Sequence, residues 1–435
     1  MYIDSLKLTN IRSFHGGGVL EFVHPQREFQ TGTNCEAGDQ EQFACPRLPN
    51  VTLLLGENGS GKTTVLRGLA LAAFGPAAGD LLRDSSIVRQ GESEGRLEAQ
   101  LRLHEQDGVA SGGERHRWEV RLQRRGERLQ VAFPRSLETK SRVQKRNISQ
   151  GAADDKGLWG PVYDSRNDAF FVVGYGATRR VERLDRYDPG ARTQARATRD
   201  LRVWSLFEES FSLIPLAGWL PRLKRENPGR HTQVVNLIRK LIAPGHYAFT
   251  GQQNDQGDYL FQRGDLEIPF QGLSDGYRAF VGWVADLLFH VCFGCPKGKK
   301  LVESRGVVLV DEIDLHLHPR WQMQVIETVT QALPQMQFVF TSHSPLVAGS
   351  LEWMNIITLK TSAKTNRTVA RRLRQGIHGL DADQILISEF FGLKSTMAPS
   401  RRRQLDALTA QIRQGDRAAP LQLIRQLSQG MEEEG

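Results

Sequence analysis

Val51-Thr52-Leu53-Leu54-Leu55-Gly56-Glu57-Asn58-Gly59-Ser60-Gly61-Lys62-Thr63-Thr64 decides the fold. Residues 51–55 form a short apolar run without polar alternation, the mark of a strand buried on both faces of a sheet. Gly56 to Thr63 matches G-x-x-x-x-G-K-[ST], a loop whose glycines let the backbone curl until its N–H groups point at phosphate oxygens. Lys62 supplies a point charge for the β- and γ-phosphates, and Thr63 offers a hydroxyl to Mg²⁺. Asn58, Gly59, Ser60, Gly61 and Thr64 complete the expected nucleotide cradle. The segment TTVLRGLALAAFG (63–75) is expected to be a helix that turns its positive end toward the anion. Strand, loop and helix in that order give the motif the context it needs.

Downstream segments extend the same chemistry. Residues 306–312, GVVLVDE, read as a second buried strand ending in two carboxylates. A hard cation needs oxygen ligands, so Asp311 is the Mg²⁺ candidate. Glu312, the next residue, points elsewhere and is placed to polarise an attacking water. Residues 337–345, QFVFTSHSP, read as a third buried strand. His343 at its end is either a γ-phosphate contact or an ordinary turn histidine. Gln90, in IVRQGE (87–92), is a candidate for sensing Mg²⁺ and water. LSDGYR (273–278) reads by itself as a Ser-Gly turn opening an apolar helix. His316 and His318 resemble a metal pair, but their alternation with Leu315 and Leu317 favours packing beside Pro319 and Trp321.

The chain has 435 residues, enough for two or three lobes around a sizeable core. Its 39% hydrophobic and 24% charged residues fit an ordinary soluble globular protein. A net charge of +8 admits two readings, an Arg-rich solvated surface or a patch facing nucleic acid. The start MYIDS reads as a strand rather than a secretory signal. No apolar run approaches the ~20 residues of a membrane helix, so a cytoplasmic protein is expected. Cys292 and Cys295 could form half of a zinc site. Cys35 and Cys45 would have to complete it from an unusual spacing, which favours unrelated thiols.

Residues 2–24 read as two alternating strands, 25–49 as an exposed loop, and 94–134 as an antiparallel sheet with one wet face. Residues 136–160 read as a loop, and AFFVVGYGATRR (169–180) returns to a buried strand. Helical spacing with Trp204, Phe207, Phe211 and Trp219 marks 196–245 as a small helical lobe. Strands and then helices follow from 361, with a charged and frayed end.

In this order the segments LKLTNIRSF, GENGSGKTT, RQGE, LSDGYR, VVLVDEIDLHLHPRWQ and FVFTSHSP resemble the ABC-type ATPase heads of the RecF/SMC/OLD group (AAA_21-like). The resemblance covers most of residues 1–360. It implies an α/β fold: a P-loop NTPase of ABC-ATPase head type, with a mixed central sheet, flanking helices, an antiparallel β subdomain and a small helical insertion. The implied division is an N-terminal ATPase lobe over 1–180, a helical insertion over 181–265, a C-terminal ATPase lobe over 266–360 and an extension over 361–435. Such heads pair head to tail around two ATP molecules. Ser274 and Gly276 would then face the γ-phosphate bound on the other chain. Glu312 becomes the catalytic carboxylate, Asp314 a cross-dimer communicator and His343 the switch histidine, with Arg12 and Ser13 near the nucleotide. The family's commonest signature has Gly where this chain has Asp275, and Gln or Glu where it has Tyr277. Asp275 is expected to cap the helix, and hydrolysis to be slow.

Within the group, LSDGYRAFVGWVADLL and DLHLHPRWQ look most like the compact ATPases of bacterial anti-phage defence, the Septu type among them. That likeness implies a homodimer or higher oligomer, a separate nuclease or other effector subunit, and DNA or RNA as a further ligand. The alternatives are a RecF-like DNA repair clamp, the nucleotide-binding subunit of an ABC transporter, and a non-hydrolysing ATP-gated scaffold. The path from Gln90 to Ser274 is too short for long coiled-coil arms. Asp381-Ala382-Asp383 has the form of a Toprim acid pair but precedes an apolar helix and reads as a cap.

Overall fold

Six strands build the sheet that carries the phosphate loop: β3 (Val51–Gly56), β7 (Val172–Tyr175), β11 (Gly306–Val310), β12 (Met336–Ser342), β13 (Ile356–Ser362) and β14 (Arg367–Arg371). Their order is β14-β13-β3-β12-β11-β7. All neighbouring pairs are parallel except β13 with β14. Residues 51–55 and all of β7, β11 and β12 are buried, as uniformly apolar strands in a covered parallel sheet must be. Parallel register aligns the strand ends. Leu55 pairs with Ser342 and Val310 with Phe340, so the phosphate loop, Asp311-Glu312 and Ser342-His343 emerge along one edge. Ligands of open α/β sheets bind at that carboxyl edge.

The computed structural model describes residues 1–16, 18–27, 46–74, 87–107, 115–125, 128–132, 170–182, 184, 187, 199–243, 247–294, 298–415 and 418–428. Most of the loops expected over 25–49 and 136–160, together with Cys35, Cys45, Cys295 and the charged end, lie outside the described residues. Cys292 is buried. Among the described residues, no helix is long and apolar enough to cross a membrane.

Helix α1 (Lys62–Phe74) is apolar on nearly every side because it is covered on nearly every side. Leu66, Leu69 and Phe74 share one core with Val307 and Leu309 of the central sheet and with Leu6, Leu97 and Leu101 of a second sheet. That second sheet is antiparallel, with β1 (Tyr2–Thr9), β2 (Leu20–Glu21), β4 (Glu94–Arg102), β5 (Arg115–Arg125) and β6 (Arg128–Ala132) in the order β2-β1-β4-β5-β6. Gly68 lets the helix approach it closely, since a Cβ there would stand 3.1 Å from Leu8 Cδ2. Leu97, Ala99 and Leu101 point inward, while Arg96, Glu98 and Gln100 alternate outward. Much of the outward charge is paired: Glu98 receives Lys7 at 3.2 Å and Arg117 at 2.5 Å, and Glu119 receives Arg121 at 2.6 Å. Exposed pairs of this kind contribute about 0–1 kcal/mol each, so they order the face more than they stabilise it.

In the chain between β7 and β11 come α2 (Leu216–Glu226), α3 (Pro228–Ile242) and a three-stranded antiparallel sheet of β8 (Ala248–Gln253), β9 (Tyr259–Arg263) and β10 (Leu266–Pro269). Asn227 caps α3 by accepting from Arg230 N–H at 3.0 Å, with Pro228 at the first helical position. Helix α4 (Asp275–Gly294) is apolar through most of its length and largely buried. Short helices α5 (Pro319–Gln322), α6 (Val325–Ala332) and α7 (Pro345–Gly349) follow the acidic strand end and the histidine turn. Residues Met1–Leu380 form one unit, and Asp381–Gly435 form another. The second contains α8 (Ala382–Ile387), α9 (Pro399–Arg413) and α10 (Ala419–Ser428). At the start of α8, Gln384 Oε1 accepts from Asp381 N–H at 3.1 Å, the geometry of a helix start.

Candidate active site

The phosphate loop adopts a form that only glycine takes without strain at two positions. Gly59 has φ +77° and Gly61 φ +93°. Gly61 is also hemmed in, since a Cβ would lie 2.7 Å from Phe14 Cε2 and 3.2 Å from Ser13 Oγ. Gly56 admits β13 closely, with the Leu359 carbonyl oxygen 2.5 Å from a Cβ position. Ser60 Oγ is buried and has no hydrogen-bond partner among the described residues.

Lys62 opens α1 but turns its side chain back over the loop. Its Nζ donates to the Gly56 carbonyl at 2.8 Å, the Glu57 carbonyl at 3.2 Å and His343 Nε2 at 2.7 Å. These three contacts use all three ammonium donors. Burial lowers the pKa of Lys62, opposed by the charges of Asp311, Glu312 and Asp314. Burial also lowers the pKa of His343, and the Lys62 cation adds to the effect. A neutral imidazole at neutral pH follows, and a neutral ring can accept from the ammonium.

Asp311 is fixed from two sides. Thr63 Oγ1 donates to Oδ2 at 2.6 Å, and Thr341 Oγ1 donates to Oδ1 at 2.5 Å. The same Thr341 hydroxyl accepts from Glu312 N–H at 2.7 Å. Glu312 has φ +48°, a left-handed conformation that costs a non-glycine residue about 1–2 kcal/mol. The bend follows the end of β11 at Val310, and Glu312 lines a cleft of about 660 Å³ that His343 also lines.

Arg12, Ser13, Asn58, Gly59, Gly61, Lys62, Thr63, Thr64 and Gln90 line that cleft as well. Arg12 and Ser13 sit in a tight turn closed by reciprocal bonds between Ile11 and Phe14, and Arg12 has φ +45°. The β13–β14 hairpin holds the turn in place: Thr368 donates from its N–H to the Ser13 carbonyl at 2.9 Å and from Oγ1 to Ser13 Oγ at 2.8 Å. Three cleft residues, Arg89, Gly91 and Asn366, were not anticipated from sequence. Arg89 Nη1 donates to the Arg12 carbonyl at 2.9 Å and the Asn366 carbonyl at 3.1 Å, and Asn366 borders the cleft. An arginine beside Gln90 was visible, but nothing local marks a hairpin tip hundreds of residues away.

Ser274, Gly276 and Asp314 do not line this cleft. Ser274 is exposed just before α4. Gly276 packs beneath the loop after β11, where a Cβ would stand 2.2 Å from the His316 carbonyl oxygen. Tyr277 is a core anchor. Its hydroxyl donates to the Ile242 carbonyl at 3.2 Å, and its ring meets Tyr247 at 4.5 Å and Trp321 at 4.6 Å. Asp275 differs from the expected cap: it lies in the first turn, exposed, and its carboxylate pairs with Arg278. An acid there still suits the helix's positive end. His316 and His318 are exposed, and the neighbouring packing comes from Leu317 and Trp321. His318 accepts from Arg320 N–H at 3.3 Å as the cap of α5.

Gly276→Ala is therefore expected to lower folding stability by about 1–3 kcal/mol, the usual cost of overpacking against an unyielding neighbour. Denaturant unfolding of the full chain checks it. An unchanged midpoint would mean that the His316 loop relaxes freely.

The parallel order, the phosphate loop at a sheet edge and the acidic strand end beside it define a P-loop NTPase fold. The chain belongs to the family described as AAA domain, putative AbiEii toxin, Type IV TA system (AAA_21), whose profile matches residues 51–349. It is 26% identical to Septu protein PtuA of Bacillus mycoides (strain KBAB4) over 228 residues, 52% of this chain and 30% of that protein. It is 32% identical to the Retron Ec83 probable ATPase of Escherichia coli over 107 residues, 25% of this chain and 20% of that one. The matches thus span less than a third of either relative's length. A solved Smc head domain with an extended coiled coil, bound to the C-terminal domain of ScpA and derived from Pyrococcus furiosus, aligns at 13% identity and a TM-score of 0.47, over 86% of this chain and 96% of that one.

Proposed function

We propose that the chain is a slow, Mg²⁺-dependent, cytoplasmic ATP hydrolase that pairs head to tail with a second copy on ATP. The pair regulates or loads a separate effector acting on nucleic acid, a nuclease in the reading we favour, in bacterial defence against phage. One observation carries this reading: Lys62, the Thr63–Asp311 pair, Glu312 and His343 converge at one strand edge. The retron relative, a probable ATPase, agrees with it. The likeness to compact anti-phage ATPases supplies the biological setting.

The residues present suit nucleotide and metal. Gly59 and Gly61 hold a loop form that exposes backbone N–H groups, and the buried Ser60 hydroxyl still lacks a partner among the described residues. Thr63 and Asp311 are the oxygen donors a hard cation requires. Bound Mg²⁺ would neutralise phosphate charge. Lys62 would bind phosphate, and Glu312 would take the proton of the attacking water. His343 would sit beside the terminal phosphate, Gln90 near the water, and Arg12 and Ser13 along the nucleotide. Ser274 and Gly276 would meet the nucleotide of the second copy, with Asp314 relaying between copies. In this scheme residues 1–180 and 266–360 form the two ATPase lobes, 181–265 an insertion, and 361–435 an extension.

Phosphate release with Mg²⁺ and with excess EDTA tests the proposal. Turnover is expected to fall to background when the metal is removed and to return on Mg²⁺ addition. Equal turnover in EDTA would reject the metal role of Thr63 and Asp311, and no turnover in either condition would reject the hydrolase.

A further inference from the structure

We infer that Arg179 is a positioning residue for Glu312: it holds the end of β11 in the bent form that turns the Glu312 carboxylate into the cleft. The inference rests on the proposed role of Glu312 as the base.

Successive residues of a strand face opposite ways. Asp311 and Glu312 are consecutive, yet Asp311 binds Thr63 at the phosphate loop and Glu312 lines the same cleft. The left-handed turn at Glu312 resolves the conflict, and a non-glycine residue keeps such a turn only where its surroundings impose it. Those surroundings grip the backbone from two directions. Thr341 Oγ1 accepts from Glu312 N–H at 2.7 Å. Arg179 Nη2 donates to the Asp311 carbonyl at 3.2 Å and also to the Glu312 carbonyl. One guanidinium nitrogen thus bridges the two carbonyls that flank the bend.

Arg179 comes from the segment just after β7, the strand beside β11, so its reach to the bend follows from the sheet order. It is 9% exposed. Burying a guanidinium is costly, and burial pushes its pKa down to about 10 against the opposing charges of Asp311, Asp314 and Glu312. Among the described residues its hydrogen bonds go to main-chain carbonyls rather than to a carboxylate. A charge buried at such cost fits one that fixes a backbone shape and balances a cluster of acids. Arg179 does not line the cleft, so it acts through Glu312 and not on the nucleotide. Lysine would keep the charge without the planar, multi-donor head.

The test compares full-length wild type, Arg179→Met, Arg179→Lys and Glu312→Gln by steady-state phosphate release, ATP binding calorimetry and thermal melting. Arg180→Gln, an exposed change in the same segment, serves as control and keeps wild-type turnover. The expected result for Arg179→Met is a kcat lower by roughly tenfold to a hundredfold, the scale of a misplaced catalytic group, with the Kd for ATP unchanged. Arg179→Lys is expected to recover part of the kcat. If Arg179→Met does not fold, Arg179→Lys carries the same split between kcat and Kd. Wild-type kcat in both variants overturns the inference. So does a parallel loss of kcat, ATP affinity and melting temperature, which is the signature of a merely structural role. Failure of the underlying reading is distinct: wild-type turnover in Glu312→Gln removes the base role itself, whatever the Arg179 variants do.

Discussion

Glu312→Gln is expected to leave ATP bound and to lower turnover by about 10²–10⁴-fold, the contribution of a positioned general base, which is the role proposed for Glu312. The amide has the size of the carboxylate and cannot accept the proton. What holds position 312 is main chain, with its N–H on Thr341 and its carbonyl on Arg179, and the substitution touches neither. The Thr63–Asp311 bond and the Lys62 contacts lie on other residues and stay intact. Binding and hydrolysis should therefore separate cleanly, unlike the effect of any change at Lys62. Calorimetry measures the first and single-turnover phosphate release the second. Turnover at the wild-type rate would move the base elsewhere, with His343 another candidate in the cleft.

The sequence announced the elements whose chemistry is local. An apolar run such as 51–55 can only be a covered strand, and the glycines at 59 and 61 predict the positive φ values found there. Asp311 and His343 were legible because each ends a buried run, and parallel strands put such ends together. Relations between distant segments were not legible. Arg89 meets Asn366 across 277 positions, and Thr368 meets Ser13 across 355, with no pattern in either stretch to declare it. Arg179 lies near the end of a stretch that read only as a buried strand, and its role emerged when the sheet order set that strand beside β11. The signature turn shows the same limit from the other side. Tyr277 reads as a departure from a family pattern, and its position against Ile242, Tyr247 and Trp321 supplies a packing reason.

Lys62→Ala and Ser274→Arg are each expected to lack turnover alone and to regain it when mixed. The cleft brings the phosphate loop, Glu312 and His343 together in one chain but not Ser274, which is exposed elsewhere before α4. If Ser274 serves the nucleotide of a second copy, a mixed pair concentrates both defects in one site and leaves the other intact. Equal mixing makes about half the pairs mixed, each with one good site of two, so about a quarter of wild-type turnover returns. Ser274 is the residue to change because its exposure lets an arginine be accommodated without disturbing its own chain. Gly276 would confuse the result, since a Cβ there strikes the His316 carbonyl of the same chain. Sedimentation in ATP must show that mixed pairs form. A mixture that pairs yet stays silent would reject the shared site, and so would full activity of Ser274→Arg by itself, because a site complete within one chain has no need of Ser274 from another.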